Sequence, residues 1–200
     1  ALCSRCAVVG VLGGGAREAI QRIKEDGKRA SDIIAGLKAF YRKEAAPRRV
    51  LLDVNEVVRE MLVLLRREAE RHAVVMRTDL APELPVVRAD RVQLQQVLMN
   101  LMVNGIEAMA DAGGDLIIRT KVVESGLAVS VCDTGSGIPA EQMEQIFSAF
   151  VTTKATGTGM GLAISRTIVE SHEGALWAEA NAGPGVTFHF TLPAERSFKP

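Results

Sequence analysis

RVQLQQVLMNLMVNGIEAMADAGG, residues 91–114, carries two patterns at once. Leu94, Val97, Leu101 and Ala108 recur at helical spacing and form an apolar stripe. Beside it run Gln93, Gln96, Asn100, Asn104, Glu107 and Asp111, again at steps of three and four. Asp90 stands where an N-cap is needed, so the spacing predicts a helix from Asp90 to about Ala110. An ordinary solvated face would favour lysine and glutamate, whereas amides beside a core boundary suit hydrogen-bond or metal ligation. Asn100 and Asn104 point the same way, and an amide carbonyl is a hard ligand fit for Mg2+. An amide pair can equally cap a neighbouring loop, and the helix by itself leaves both readings open.

Outward from this helix the chain alternates between strand and helix. Val50–Val54 reads as a short strand, Asn55–Arg71 as an amphipathic helix (Val58, Met61, Leu62, Leu65) and Ala73–Thr78 as a strand. Asp115–Val123 and Leu127–Cys132 form a hairpin about Glu124, Ser125 and Gly126. A glycine-bearing loop region covers Asp133–Gly159, followed by a helix over Met160–Ser171. Two closing strands lie at Ala175–Ala180 and Val186–Leu192. The expected class is α/β (α+β).

Two glycine motifs sit at element ends. Asp133-Thr134-Gly135-Ser136-Gly137-Ile138-Pro139 follows an apolar strand, and a carboxylate there can accept from an exocyclic amine such as that of adenine. Alone, this is also simply a loop. Gly157-Thr158-Gly159-Met160-Gly161-Leu162 opens a helix, where free amides and the helix dipole favour phosphate. It lacks the Gly-Lys-Ser/Thr ending of a Walker loop and the GxGxxG spacing after a strand. Thr152, Thr153 and Lys154 can add hydroxyls and one positive charge.

Before Val50 the pattern differs. Ile20, Ile23, Gly27, Ala30, Ile34, Leu37 and Tyr41 form an a/d seam on a helix over about Arg17–Glu44, flanked by charge and in need of a partner helix. Pro47, Arg48 and Arg49 read as a linker. Ala7–Leu12 is apolar but far shorter than the roughly 20 residues that span a bilayer. With Arg5 before it and no starting methionine, it reads as the edge of something longer. Cys3, Cys6 and Cys132 are the only cysteines, which excludes a disulfide framework and fits a reducing cytosol; the CxxC of Cys3 and Cys6 has no second half. Lysine plus arginine (24) balances aspartate plus glutamate (24), so the chain has no electrostatic footprint for nucleic acid or an anionic membrane. An anionic ligand must therefore be met by local geometry.

Taken in order, the motifs resemble those of sensor histidine kinases. NLMVNGIEAMA (Asn100 to Ala110) is similar to their asparagine box and DTGSGIP to their first glycine box. IFSAFVTTK (Ile146 to Lys154) resembles the phenylalanine box, and GTGMGLAIS (Gly157 to Ser165) the second glycine box. The resemblance covers about Val50 to Pro193 and implies the Bergerat ATP-binding sandwich: a mixed sheet covered on one face by helices, with an ATP lid between the last two boxes. It further implies that Asp133 binds adenine, with Gly135 and Gly137 shaping its pocket. Asn104 would hold Mg2+, with Asn100 and Glu107 on the phosphate side. Thr153 and Lys154 would approach the phosphates. Gly157, Gly159, Gly161 and Leu162 would supply lid flexibility and backbone amides, with Phe147 and Phe150 anchoring the lid's base. Ser148 and Ala149 depart from the acidic residue and proline usual between the phenylalanines, and Glu173 stands where a second glycine often follows His172.

Hydrolases of the same superfamily carry a glutamate four residues before the metal-binding asparagine, as general base for water. Here that position is Asn100, and an amide takes no proton at neutral pH. Transfer to a protein histidine is therefore expected rather than hydrolysis. The acceptor is not evident: His72, His172 and His189 all lie within the expected ATP-binding domain, 49–195. Residues 1–48 resemble the second helix of a dimerisation and phosphotransfer pair without the histidine-bearing first helix. The resemblance implies a cytoplasmic domain, self-association through the N-terminal helix and a response regulator as partner. The alternative is a non-catalytic nucleotide-binding or interaction module of the same fold.

Overall fold

A computed structural model describes residues 48–152 and 157–195 of the chain. The N-terminal helix and its seam, the CxxC, and Thr153 and Lys154 lie outside the described residues.

Strand β1 (Val50–Leu52) pairs antiparallel with β3 (Val87–Ala89) as a small ribbon. Helix α1 (Val54–Arg71) begins where Asp53 accepts from the Asn55 amide at 2.8 Å, so the predicted strand over Val50–Val54 stops two residues early. Strand β3 was not foreseen, because three residues are too few to show alternation. Strand β2 (Val74–Leu80) lies between the two ribbon strands in the chain, and helix α2 (Arg91–Ala108) follows β3. Asp90 caps α2 as expected, its Oδ1 accepting from Val92 and Gln93 at 3.0 and 3.2 Å. Strands β4 (Gly114–Val123) and β5 (Gly126–Asp133), helix α3 (Gly161–Ser171), and strands β6 (Leu176–Ala180) and β7 (Val186–Pro193) complete the fold.

Five strands form one mixed sheet in the order β2-β4-β5-β7-β6, with β2 parallel to β4 and the other pairs antiparallel. Along β7, Val186, Phe188, Phe190 and Leu192 are buried while Thr187, His189 and Thr191 between them are half-buried, the period-two signature of a sheet with one core face. Against that face α2 presents Leu94, Val97, Leu98, Leu101, Met102 and Ile106, all fully buried. Each such side chain contributes about 1.5–3 kcal/mol, so this helix is the main apolar element of the core. Among the described residues, no helix is long and apolar enough to cross a membrane.

Polar contacts fix how the layers meet. Asn55, 3% exposed, donates to the Ala81 carbonyl at 2.9 Å and accepts from the Thr120 hydroxyl at 2.9 Å. Arg91 reaches Glu56 and Glu60 to hold α1 beside α2. At the end of α3, buried His172 donates from Nδ1 to the Ile168 carbonyl at 2.8 Å, and its Nε2 accepts from the Asp90 amide at 3.1 Å. Both nitrogens of the neutral ring are thereby used. Burial lowers the pKa of His172, partly opposed by the Ile168 bond, and burial likewise lowers that of His189.

Because both folded-state values lie below the unfolded value, the unfolded chain takes up protons first as pH falls through about 6.5. Stability is expected to be full above that pH and to decline below it. Urea midpoints at pH 7.5 and 5.5 check this: the drop should shrink in His172→Gln, with His189 supplying the remainder.

Candidate functional site

Asp133 closes β5 and is 4% exposed. Its Oδ1 accepts from the Gly135 amide at 2.9 Å and the Val186 amide at 3.3 Å, which holds the carboxylate at the strand end. Asn181 supports it from behind, donating to the Asp133 carbonyl at 2.8 Å and to the Pro184 carbonyl at 3.1 Å. Gly185, at φ +93°, turns the chain so closely that a Cβ there would lie 2.0 Å from the Asp133 carbonyl oxygen. A Cβ on Gly135 would meet the Ala108 carbonyl oxygen at 2.6 Å, so the first glycine motif lies directly on the end of α2.

Helix α2 passes equally close. A Cβ on Gly105 would stand 2.6 Å from Leu116 Cδ1 and 3.3 Å from Asp133 Cβ. Five residues earlier on the same helix, Asn100 donates to the Gly161 carbonyl at 3.0 Å and to the buried Ser165 hydroxyl at 3.1 Å. One helix thus touches the Asp133 pocket at residue 105 and the start of α3 at residue 100, separated by roughly 7.5 Å of helix rise. Asn104 lies half-buried between these contacts, and Glu107 is exposed one turn on.

The start of α3 has Met160 in the cap position, a residue with no oxygen to accept from the first-turn amides. The first intrahelical bond is from Ile164 to Met160 at 2.9 Å, so the amides of Gly161, Leu162 and Ala163 have no partner within the helix. Upstream, the Phe150 amide donates to the Gly159 carbonyl at 3.0 Å, and the two backbones cross with Phe150 at φ +69° and Gly159 at φ +66°. A Cβ on Gly159 would fall 2.5 Å from the Phe150 carbonyl carbon. This crossing brings residues 150 and 159 together, with Gly157 half-buried nearby in sequence.

Phe147, expected at the lid's base, packs edge-on to Phe188 at 6.4 Å with the Arg166 guanidinium 4.7 Å from its ring centre. Phe150 does not: its side chain is 68% exposed, and only its backbone takes part. Its backbone, at φ +69°, crosses Gly159, while the side chain faces solvent rather than packing at the base that the resemblance implied.

The predicted residues Asn100, Asn104, Asp133, Gly135, Gly137, Gly161 and Leu162 therefore sit along α2 and the two ends it touches. Gly137 holds φ +74°, the conformation that requires glycine at that turn. Sequence reasoning missed Gly105, Asn181 and Gly185. A glycine inside a strongly apolar helix costs about 1 kcal/mol against alanine, and that cost was a signal of close approach.

None of the histidines stands free. His72 ends α1 beside Glu68 at 3.3 Å, His189 stacks on Trp177 at 5.2 Å with its Nδ1 2.9 Å from the Ser130 hydroxyl, and His172 is spent on two helix ends.

A model of the family described as Histidine kinase-, DNA gyrase B-, and HSP90-like ATPase matches residues 89–196. The chain is 42% identical to sensor protein FixL of Bradyrhizobium diazoefficiens over 178 residues, which is 88% of this chain and 35% of FixL. It thus spans about a third of that relative's length. The catalytic domain of histidine kinase ThkA, nucleotide-free, matches with a TM-score of 0.66 and 38% identity over 72% of this chain and 95% of that domain. ThkA in complex with response regulator protein TrrA matches with a TM-score of 0.76 and 32% identity over 90% of this chain and 52% of that one.

Replacing Gly185 with alanine should lower stability by more than about 2 kcal/mol, since the added carbon meets a backbone oxygen at a positive φ. A urea midpoint unchanged in Gly185→Ala would refute that packing of the Asp133 turn.

Proposed function

We propose that this chain, which belongs to the histidine kinase-, DNA gyrase B- and HSP90-like ATPase family and within it to the sensor histidine kinases, binds Mg-ATP and passes its γ-phosphoryl group to a histidine carried on another helix. The observation that supports it best is the path of α2, which links the Asp133 pocket at Gly105 to the start of α3 at Asn100. An adenine amine at Asp133 and phosphates at the amides of Gly161 and Leu162 would lie at the two ends of that path.

In this reading Asp133 accepts from the exocyclic amine, and Gly135 and Gly137 leave room for the ring. The side-chain oxygen of Asn104 holds Mg2+, with Asn100 and Glu107 lining the phosphate side; the ion, when bound, offsets phosphate charge during transfer. The donor set fits a hard cation, because a neutral amide oxygen leaves most positions to water and phosphate. Thr153 and Lys154 approach the phosphates, while Gly157 and Gly159 let the intervening segment rearrange over them. Asn100 donates to the first turn of α3 and cannot act as a base, so water is not activated there.

Residues 49–195 form the ATP-binding domain, and 1–48 a partial dimerisation helix with its linker. The seam through Ile20, Ile23, Ala30, Ile34 and Leu37 pairs with that of a second copy. A response regulator receives the phosphoryl group, and the domain works in the cytoplasm.

Two outcomes are expected. Asp133→Asn should weaken ADP binding by about 1–3 kcal/mol in calorimetry, because a charge-assisted bond to a buried amine is lost; unchanged affinity would refute the adenine role. Given ATP and Mg2+, this chain alone should form no phosphohistidine, since in-line transfer needs a nucleophile roughly 3–3.5 Å from the γ-phosphate and its own histidines are held by the fold. A longer kinase with its own histidine and a disabled asparagine box should become labelled instead. Acid-labile phosphate on this chain, lost in His172→Ala, would overturn the assignment.

A further inference from the structure

Where the chain enters the domain, four polar contacts converge on two helix ends. The Arg48 amide donates to Asp90 Oδ2 at 3.1 Å, and the Arg49 guanidinium donates to the Ser171 carbonyl at the end of α3. The Asp90 amide donates to His172 Nε2 at 3.1 Å, and His172 Nδ1 donates to the Ile168 carbonyl at 2.8 Å. Asp90 at the same time caps α2. A cation on the last carbonyls of a helix is favoured by the helix dipole, so Arg49 is well matched to its seat. His172 is 3% exposed, so water cannot readily replace either partner.

Helices α2 and α3 run antiparallel: the start of α2 meets the end of α3 at His172, while Asn100 meets Gly161 at the start of α3. The entering linker is therefore pinned to one end of a helix pair whose other end carries the open amides of Gly161 and Leu162. Helix α3 is about 16 Å long, so this latch stands a full helix length from those amides and acts on the entering linker rather than on them. A misplacement of about 1 Å at the reacting atoms costs on the order of 10²-fold in rate.

We infer that His172 is a positioning residue for phosphoryl transfer, locking Asp90 to the end of α3 as the seat of Arg48 and Arg49 and so setting the direction from which the preceding segment approaches the nucleotide. The role rests on the kinase reading above, and it acts through the linker rather than through contact with substrate. It predicts a split: nucleotide binding, built at the far end of α2 and α3, is independent of the latch, whereas transfer depends on it.

The test uses the full chain with Mg-ATP and, as acceptor, a longer histidine kinase that keeps its histidine but has a disabled asparagine box. His172→Leu and Arg49→Ala should each keep ATP affinity within roughly twofold and lower the transfer kcat by roughly tenfold or more, with KM for ATP unchanged. His172→Gln, whose side-chain oxygen can accept from the Asp90 amide, should recover transfer to within about threefold of the original chain. Unaltered transfer in His172→Leu would overturn the inference. So would joint loss of ATP affinity and transfer in His172→Leu with no effect of Arg49→Ala, which marks a merely structural histidine. An unsubstituted chain that binds ATP yet labels no helix refutes the kinase reading itself. Tryptic cleavage after Arg48 and Arg49 then decides the latch: faster cleavage in His172→Leu than in the original chain supports it, and equal rates overturn it.

Discussion

The close approach of helix α2 to the end of strand β5 is the constraint on which the remaining geometry depends. Its closest point is Gly105, where a side chain would strike Leu116 and press on Asp133. An apolar helix could pack over the sheet at a greater distance with any small residue there. The glycine instead brings the backbone down beside the buried carboxylate, at a cost in helix propensity of about 1 kcal/mol. Burial of Leu94, Leu98, Leu101 and Ile106 outweighs that cost several-fold. Stability from one face of the helix thus leaves its neighbouring face polar, without a role in the apolar packing.

Placement of α3 follows from α2. Asn100 ties to its first turn and Asp90 to its last through His172, so the two helices are matched at both ends. Polar contacts of this kind contribute little net energy each, but leaving one partner buried and unmade costs about 1–3 kcal/mol. That asymmetry selects one register between the helices over its neighbours. Burial between these helix ends lowers the pKa of His172, so protons compete with folding.

An anionic ligand bound as proposed above would be met without an excess of positive charge on the chain. The chain carries 24 basic and 24 acidic residues, and pairs such as Arg91 with Glu56 and Glu60 consume much of the charge on α1 and α2. The start of α3 is capped by a methionine, and its unpaired first-turn amides carry partial positive charge. Neutral donors of this kind discriminate by geometry and stay effective where a lone buried lysine would be costly to desolvate.

Much of this was legible in the residues. Periodicity distinguished the helices from the strands to within about two residues, because 3.6- and 2-residue repeats are imposed by the backbone itself. The boxes marked which side chains gather, and the capping role of Asp90 was readable from its position. Three residues of β3 carried no readable pattern, and the exposure of Phe150, whose backbone crosses Gly159 at a positive φ, left no mark in the sequence either. Asn181, Gly185 and the double duty of His172 could not be read at all. Each depends on contacts between segments far apart in the chain, such as Asp90 with His172 or Asp133 with Val186. Sequence alone determined every element long enough to show a repeat, since helix and strand periods follow from local sterics and side-chain type. Only the tertiary structure decided which backbone stands against which, because that is a property of packing between elements and leaves no periodic trace in any one of them.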